Sequence, residues 1–496
     1  MDIIINFPYW SIFLCMVSAI LLSIVKNARV SFYWTLTVSV VSAILSFVFF
    51  VHIFRLNEFV PFTMGKFPAP FGNEIRVGPL QGLLAGVFSL VMAMSQLGGM
   101  KDLFEDVKNS KMGLACVMLN MTLASLLVLV YTNDIFTAYV FIEISTIAAC
   151  ALVMIKENGE TLTATIRYLF MSLLGSGLFL FGIIILYGIT GHLLIPQMTE
   201  EIQKLFATGK YYVPLVTSAA MIVAGLGIKS AMFPFHRWLP GAHGSATTTA
   251  SAVLSGLVLK GYAVLLITVF IRVFGLEIIN AISINLVVLF FGFLGMIVGS
   301  VYAIREGHSK RMLAYSSVAQ LGYVFMGIGL GTEAGIAAAI FQIIAHACTK
   351  PLLFASVGRL SVSVHHNKEW KNLHGTAYTA PLAGIGFTVG GLSMIGIPLF
   401  AGFTSKVNFA VASFENMWQT IAVVFVLVLS GLLNALYYVP AILNIWAQDN
   451  RGQLHKPAKD PAFGIAAVVF IICIFALGIF FAPVMASIET GLGLMM

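Results

Sequence analysis

Fourteen apolar runs of about 20 residues, each long enough to cross a ~30 Å hydrocarbon layer as a helix, follow one another along the chain between short polar loops. Their predicted limits are 9–25, 31–53, 80–98, 112–131, 134–155, 165–190, 212–233, 247–274, 282–304, 313–330, 334–358, 380–404, 419–446 and 461–484. Hydrocarbon offers no hydrogen bonds, so only helices and closed barrels span it. Barrel strands alternate over about ten residues, whereas these runs are continuous. They are helices. Composition agrees: hydrophobic residues make up 59% of the 496 and charged residues 9%, too few to clothe a water-exposed surface when an average globular protein carries about 25%. The fold class expected is an all-α polytopic membrane protein whose helices pack through small residues.

Other classes fall away. The net charge of +7 is spread over loops and forms no basic block with interleaved aromatics, so nucleic acid is not an expected partner. The five cysteines lie far apart in apolar runs with no CxxC, which predicts neither metal nor cofactor in this chain. The first basic residue, Lys26, follows the first apolar run, so that run is expected to be a retained span rather than a secretory signal.

Basic residues orient the bundle. Of 27 Lys and Arg, 17 fall in odd-numbered loops and six in even ones, and four (Lys229, Lys260, Lys350 and Lys406) lie within or at the rim of spans. Cytoplasmic loops carry the excess. This places the odd loops in the cytoplasm and both termini outside, in the cell (inner) membrane. Segments 101–111 and 365–375 look like amphipathic pieces on the cytoplasmic surface, and 60–79 like a turn-rich external hairpin.

The four lysines and Glu143 stand where lipid disfavours charge by roughly 2.5–3.5 kcal/mol each. Any one of them could be a snorkelling side chain, Lys406 most readily; five together are better explained as a path that handles charge. Two predicted spans carry Gly and Pro beside their Lys: GLGIKSAMFPF around Lys229 and GIPLFAGFTSK before Lys406. Proline breaks a helix, and two broken helices five spans apart point to structural repeats with an ion site in each. Spans 4–8 and 9–13 are the candidate repeats. This gives four segments: 1–111, a first repeat at 112–274, a second at 282–446, and 447–496. His346 and Lys350, spaced by four, share one helix face and suit proton transfer. His236 and His243, with no third ligand at zinc spacing, are placed as lining of a water-filled mouth.

At these residues the sequence resembles the antiporter-like membrane subunits shared by respiratory complex I, membrane-bound hydrogenases and Mrp-type Na+/H+ antiporters. The ordered motifs are YTNDIFTAYVFIE (131–143), FPFHRWLPGAH (233–243), SAVLSGLVLKGYA (251–263), KRMLAYSSVAQLGY (310–323), HACTKPLLF (346–354), LSMIGIPLFAGFTSK (392–406) and NALYY (434–438). The resemblance implies about 14 helices, two inverted five-helix repeats and breaks in helices 7 and 12. It also implies that Glu143 pairs with Lys229, that Lys260, His346 and Lys350 line a central proton relay, and that Lys406 ends it. Length, the MGKFPAPFG stretch and Gly241 look most like the D subunit of Mrp antiporters. Many complex I members carry an acidic residue at the positions of Gly241 and Ser309, and Ala-Pro at those of Ala246 and Thr247.

The function expected is that of a proton-translocating subunit among other membrane subunits. A redox-driven complex with iron–sulfur or hydrogenase subunits is the alternative, and a sealing scaffold or a small-solute transporter are lesser ones. The transported ions are H+ and, in the whole complex, Na+. Sodium prefers several hard oxygens and Glu143 is the one carboxylate placed deep in the membrane, so a sodium site is expected in another subunit. A single cysteine introduced at Lys368 should react with a membrane-impermeant maleimide from the cytoplasmic side only; labelling from outside reverses the topology.

Overall fold

The computed structural model describes residues 3–63, 67, 72–448 and 454–495. Most of the MGKFPAPFG stretch and two of the counted basic residues, Lys66 and Arg451, lie outside the described residues. Helices α1 (Phe7–Leu22) and α2 (Ala28–Leu56) precede an antiparallel hairpin, β1 (Val60–Thr63) with β2 (Glu74–Val77), in which Val60 faces Val77. Then come α3 (Pro79–Gly98), the short α4 (Met100–Asp106), α5 (Asn109–Tyr131), α6 (Ile135–Met154), α7 (Gly159–Thr190), α8 (Ile195–Ala207) and α9 (Tyr212–Lys229). An interrupted stretch follows: α10 (Leu239–Ser245), α11 (Thr248–Val253) and α12 (Leu259–Thr268), the last two joined by a π-helical turn, Leu254–Val258. After α13 (Leu276–Ala281) run the long helices α14 (Ile284–Arg305), α15 (Ser309–Gly329) and α16 (Glu333–Val362). The chain ends with α17 (Pro381–Ile395), α18 (Ala401–Ala412), α19 (Met417–Ile445), α20 (Pro461–Ile479) and α21 (Phe481–Gly493).

Among the described residues, 13 helical segments are long and apolar enough to cross a membrane, counting Thr248–Phe274 as one. The fourteenth expected run, 380–404, is divided between α17 and α18. The all-α polytopic class and the break in the twelfth span both hold. The bundle has a distinct centre: the most apolar windows of Thr248–Phe274 and of α16 are wholly buried, against 33% for α20. The two helices that carry Lys260, His346 and Lys350 are therefore the ones lipid touches least. That is where a charge must be placed if protein is to solvate it.

Several details differ from expectation. The seventh span, predicted to 233, stops as a helix at Lys229. Pro234 has no N–H to offer the Ser230 carbonyl, and Ala231 takes a left-handed backbone with φ of 55°. Segment 365–375 is not helical beyond one turn at Trp370–Asn372; it is tied down by Ser309, whose N–H and hydroxyl both donate to the Lys368 carbonyl at 2.8 and 2.7 Å. Lys371, its side chain 76% exposed, is thus the better labelling position than Lys368 on that loop. Helix α8 falls between the predicted spans 165–190 and 212–233. It buries Ile195, Met198 and Ile202 on one face and turns Glu200, Glu201 and Lys204 outward, a periodicity the sequence does carry. Arg272, counted as a loop charge, is buried and donates to Asn133, whose amide in turn donates to Glu74 at 2.6 Å.

Backbone contact holds α14 to α15. A Cβ on Gly322 would lie 2.7 Å from the Gly292 carbonyl oxygen, and one on Gly292 would lie 2.7 Å from the Met326 nitrogen. Small residues permit such contact in membranes. Gly322→Val should cost ~1–3 kcal/mol or more through overpacking. Thermal unfolding in detergent checks this, and an unchanged melting temperature would refute close contact at that crossing.

Candidate functional site: a buried line of lysines

Among the described residues, Lys229, Lys260 and Lys350 are buried and Lys406 is half-buried, and each ammonium has found oxygen. Lys229 is the last residue of α9, at the end of a helix where unpaired carbonyls favour a cation. Its Nζ donates to the Thr146 hydroxyl at 2.6 Å and lies 3.6 Å from Glu143 Oε1. The Lys229 side chain is 1% exposed and that of Glu143 24%, so the pair runs from the flank of α6 to the interior. The expected Glu143–Lys229 pair forms.

Lys260, one residue into α12, donates to the Ser255 carbonyl within the π-helical turn just before it. The Ser255 hydroxyl meets that of Ser317 at 2.8 Å, linking α12's neighbourhood to α15. His346 and Lys350 sit one turn apart on α16 and are both fully buried. Neither ring nitrogen of His346 has a hydrogen-bond partner in the protein.

From Lys350 a hydrogen-bonded chain leads onward. Its Nζ donates to the Leu313 carbonyl at 2.9 Å and to the Tyr438 hydroxyl at 3.3 Å. Tyr438 meets the Ser316 hydroxyl at 2.9 Å, and Tyr437 donates to the same Ser316 at 3.1 Å. Tyr437 also reaches Asn434 Oδ1 at 2.7 Å, and the Asn434 amide donates to the Met394 carbonyl at 3.2 Å. The Met394 carbonyl accepts from Lys406 at 3.4 Å.

Lys406 closes the line. It is the sixth residue of α18, and its Nζ reaches back to the Ile395 and Met394 carbonyls at the end of α17. The break between the half-helices frees those carbonyls. Gly396 makes the approach feasible: its φ is 92°, and a Cβ there would lie 2.8 Å from Lys406 Nζ. A side chain held this way is not snorkelling.

His236 and His243 depart from expectation. They lie inside the protein, 3% and 0% exposed, not at an open mouth. His236 packs among Phe233, Tyr302 and Tyr315. His243 stacks on Phe354 with centroids 4.8 Å apart, and neither of its ring nitrogens has a partner. Residues not singled out from sequence complete the line: Ser316, Asn434, Tyr437 and Tyr438. The spacing of Asn434 to Tyr437 and Tyr438, three and four, was the available signal, since it sets all three on one face.

A helical membrane bundle threaded by buried lysines belongs to the class of antiporter-like membrane subunits. Residues 132–432 match the family model described as NADH:quinone oxidoreductase/Mrp antiporter, TM, and the chain is a member of that family. It is 33% identical over 389 residues to NADH-quinone oxidoreductase subunit N of Desulforudis audaxviator, covering 76% of this chain and 74% of that one. It is 27% identical over 481 residues to the putative antiporter subunit mnhD2 of Staphylococcus aureus strain MRSA252, covering 96% and 92%. The fold is that of a chain in the Mrp complex from Dietzia sp. DQ12-45-1b, with a TM-score of 0.87 at 19% identity over 99% of this chain and 97% of that chain. A chain of the archaeal membrane-bound sulfane sulfur reductase gives 0.86 at 23% identity over 99% and 96%.

Proposed function

We propose that this subunit translocates protons along the line from Glu143 and Lys229 through Lys260, His346 and Lys350 to Lys406, within a multisubunit membrane complex. The observation that carries this reading is the hydrogen-bonded chain from Lys350 to Lys406. Hydroxyls both donate and accept, so Tyr438, Ser316 and Tyr437 can pass a proton by switching partners. Asn434 cannot relay one; its amide fixes Tyr437 and the Met394 carbonyl, and the last transfer to Lys406 needs a water. Glu143 couples to Lys229: at ~6 Å and an effective dielectric of ~20, two unit charges interact by about 2.8 kcal/mol, and the observed 3.6 Å separation makes the coupling larger. Protonating Glu143 therefore changes how firmly Lys229 holds its own proton.

The complex is taken to be an Mrp-type Na+/H+ antiporter with this chain as its D subunit, because the relative of that kind aligns with 96% of the chain against 69–84% for the subunit N relatives. The alternative is the proton-pumping membrane subunit of a redox-driven complex. Partner subunits separate them: homologous antiporter-like and small membrane subunits in one case, iron–sulfur or hydrogenase subunits in the other. This chain supplies no cofactor or metal of its own, and sodium is assigned to another subunit. Each candidate repeat, 112–274 and 282–446, carries one lysine at an interrupted span, Lys229 as the last residue of α9 and Lys406 on α18 against the end of α17, which is in keeping with two inverted repeats. The chain lies in the cell (inner) membrane with both termini outside.

Proton flux into vesicles carrying the purified complex tests the reading. Glu143→Ala and Lys406→Ala should each cut flux by roughly tenfold or more while co-purification of the partner subunits persists. Lys406→Glu should keep part of it, since a carboxylate can also carry a proton. Normal flux in Lys406→Ala would end its role. Tyr438→Phe, which removes one oxygen at constant shape, should slow flux without lowering the melting temperature by more than ~1–3 kcal/mol worth of stability; flux equal to the parent would break the hydroxyl chain.

A further inference from the structure

Lys310 was counted from sequence as a surface charge of the loop before α15. It is fully buried. Its Nζ donates to the Ala246 carbonyl at 2.9 Å, where α10 ends. The surface role belongs to its neighbour Arg311, which is exposed and packs beside Gly244. Lys310 occupies the first turn of α15, the end of a helix that disfavours a cation. A residue chosen merely to cap α10 need not stand there.

Its surroundings are polar on both sides. Toward the loops, Ser309 beside it is bound twice to the Lys368 carbonyl, and Asp102 meets Thr248, two residues beyond Ala246. Asp102 accepts from the Thr248 hydroxyl at 2.5 Å, and Asp106 pairs with Lys156 at 3.0 Å with side chains 28% and 19% exposed. Gly358 of α16 makes room here, since a Cβ would lie 2.7 Å from Asp102 Oδ2. Toward the centre stands His243, three residues before Ala246 and unpartnered on both nitrogens, stacked on Phe354 one turn along α16 from Lys350. His308, the residue before α15, is pushed down to about 4 by burial, then by Arg311 and Lys310, so it stays uncharged near neutral pH.

We propose that Lys310 is a further relay residue, which passes protons from a vestibule of Asp102, Asp106, Lys156 and Lys368 to His243 and thence to Lys260 and Lys350. This rests on the proton-translocation reading above. It gives the central line a connection to the loop end that carries the excess of basic residues, through a neck whose ammonium repels other cations and yet can itself lose and regain a proton.

The rival is a purely structural Lys310 whose charge caps α10. Vesicles carrying the whole complex, with Lys310→Gln, Lys310→Arg and Lys310→His, separate the two. Gln keeps a donor and Arg keeps donor and charge, but neither releases a proton near neutral pH; both should slow flux roughly tenfold or more with assembly intact. The His variant should recover part of the flux, with its half-maximal pH moved downward, because imidazole titrates near 6.5 and an amine near 10.4. Wild-type flux in the Gln or Arg variant overturns the proposal. If those two fail to assemble, a His variant with the parent's pH profile overturns it as well. Vesicles in which the unaltered complex moves no protons would instead sink the translocation reading itself.

Discussion

An ammonium group inside a helical bundle persists only where oxygen is at hand, and a regular α-helix leaves almost none, because each carbonyl already accepts from the N–H four residues on. This chain frees carbonyls by interrupting its helices. Lys406 meets those at the end of α17, Lys310 the one at the end of α10, and Lys260 one inside a π-helical turn. Lys229 ends α9 and takes a hydroxyl and a carboxylate instead, and Lys350 takes the Leu313 carbonyl within the unbroken α15 together with the Tyr438 hydroxyl. Each break would be costly facing lipid. Beside a lysine it supplies the missing solvation.

That pairing of break with lysine explains the layering of the bundle. The helices that bear the central charges are enclosed on all sides, and the apolar helices α1, α2, α7, α19 and α20 form the outside. Hydroxyls on α15 turn inward as well: Ser316 meets Tyr438, Ser317 meets Ser255, and Tyr323 meets Ser430, all of them buried.

Much was legible in the residues alone. Continuous apolar runs mark the membrane helices, because bilayer thickness sets a length that few soluble segments reach. The cost of intramembrane charge picks out Glu143, Lys229, Lys260, Lys350 and Lys406, since nothing but function or pairing compensates it. Proline and glycine mark the interruption before Lys406, and the i, i+4 step of His346 and Lys350 needs only helical geometry. Serine and tyrosine were harder to read. They are common in membrane helices and carry no penalty large enough to single them out, so Ser316, Asn434, Tyr437 and Tyr438 stood unremarked within motifs already noticed.

Lys310 and the two histidines show the opposite limit. A lysine five residues after Arg305 and next to Arg311 has the sequence context of a loop anchor, and His236 and His243 that of a polar mouth; all three are buried. The sequence by itself determined the helical membrane fold and the costly charges, because these follow from local composition and a fixed bilayer thickness. Only the tertiary structure decided which oxygens meet which lysines, and whether a residue at a helix end faces water or the interior. Those outcomes depend on how helices far apart in the chain pack, and local pattern does not encode that.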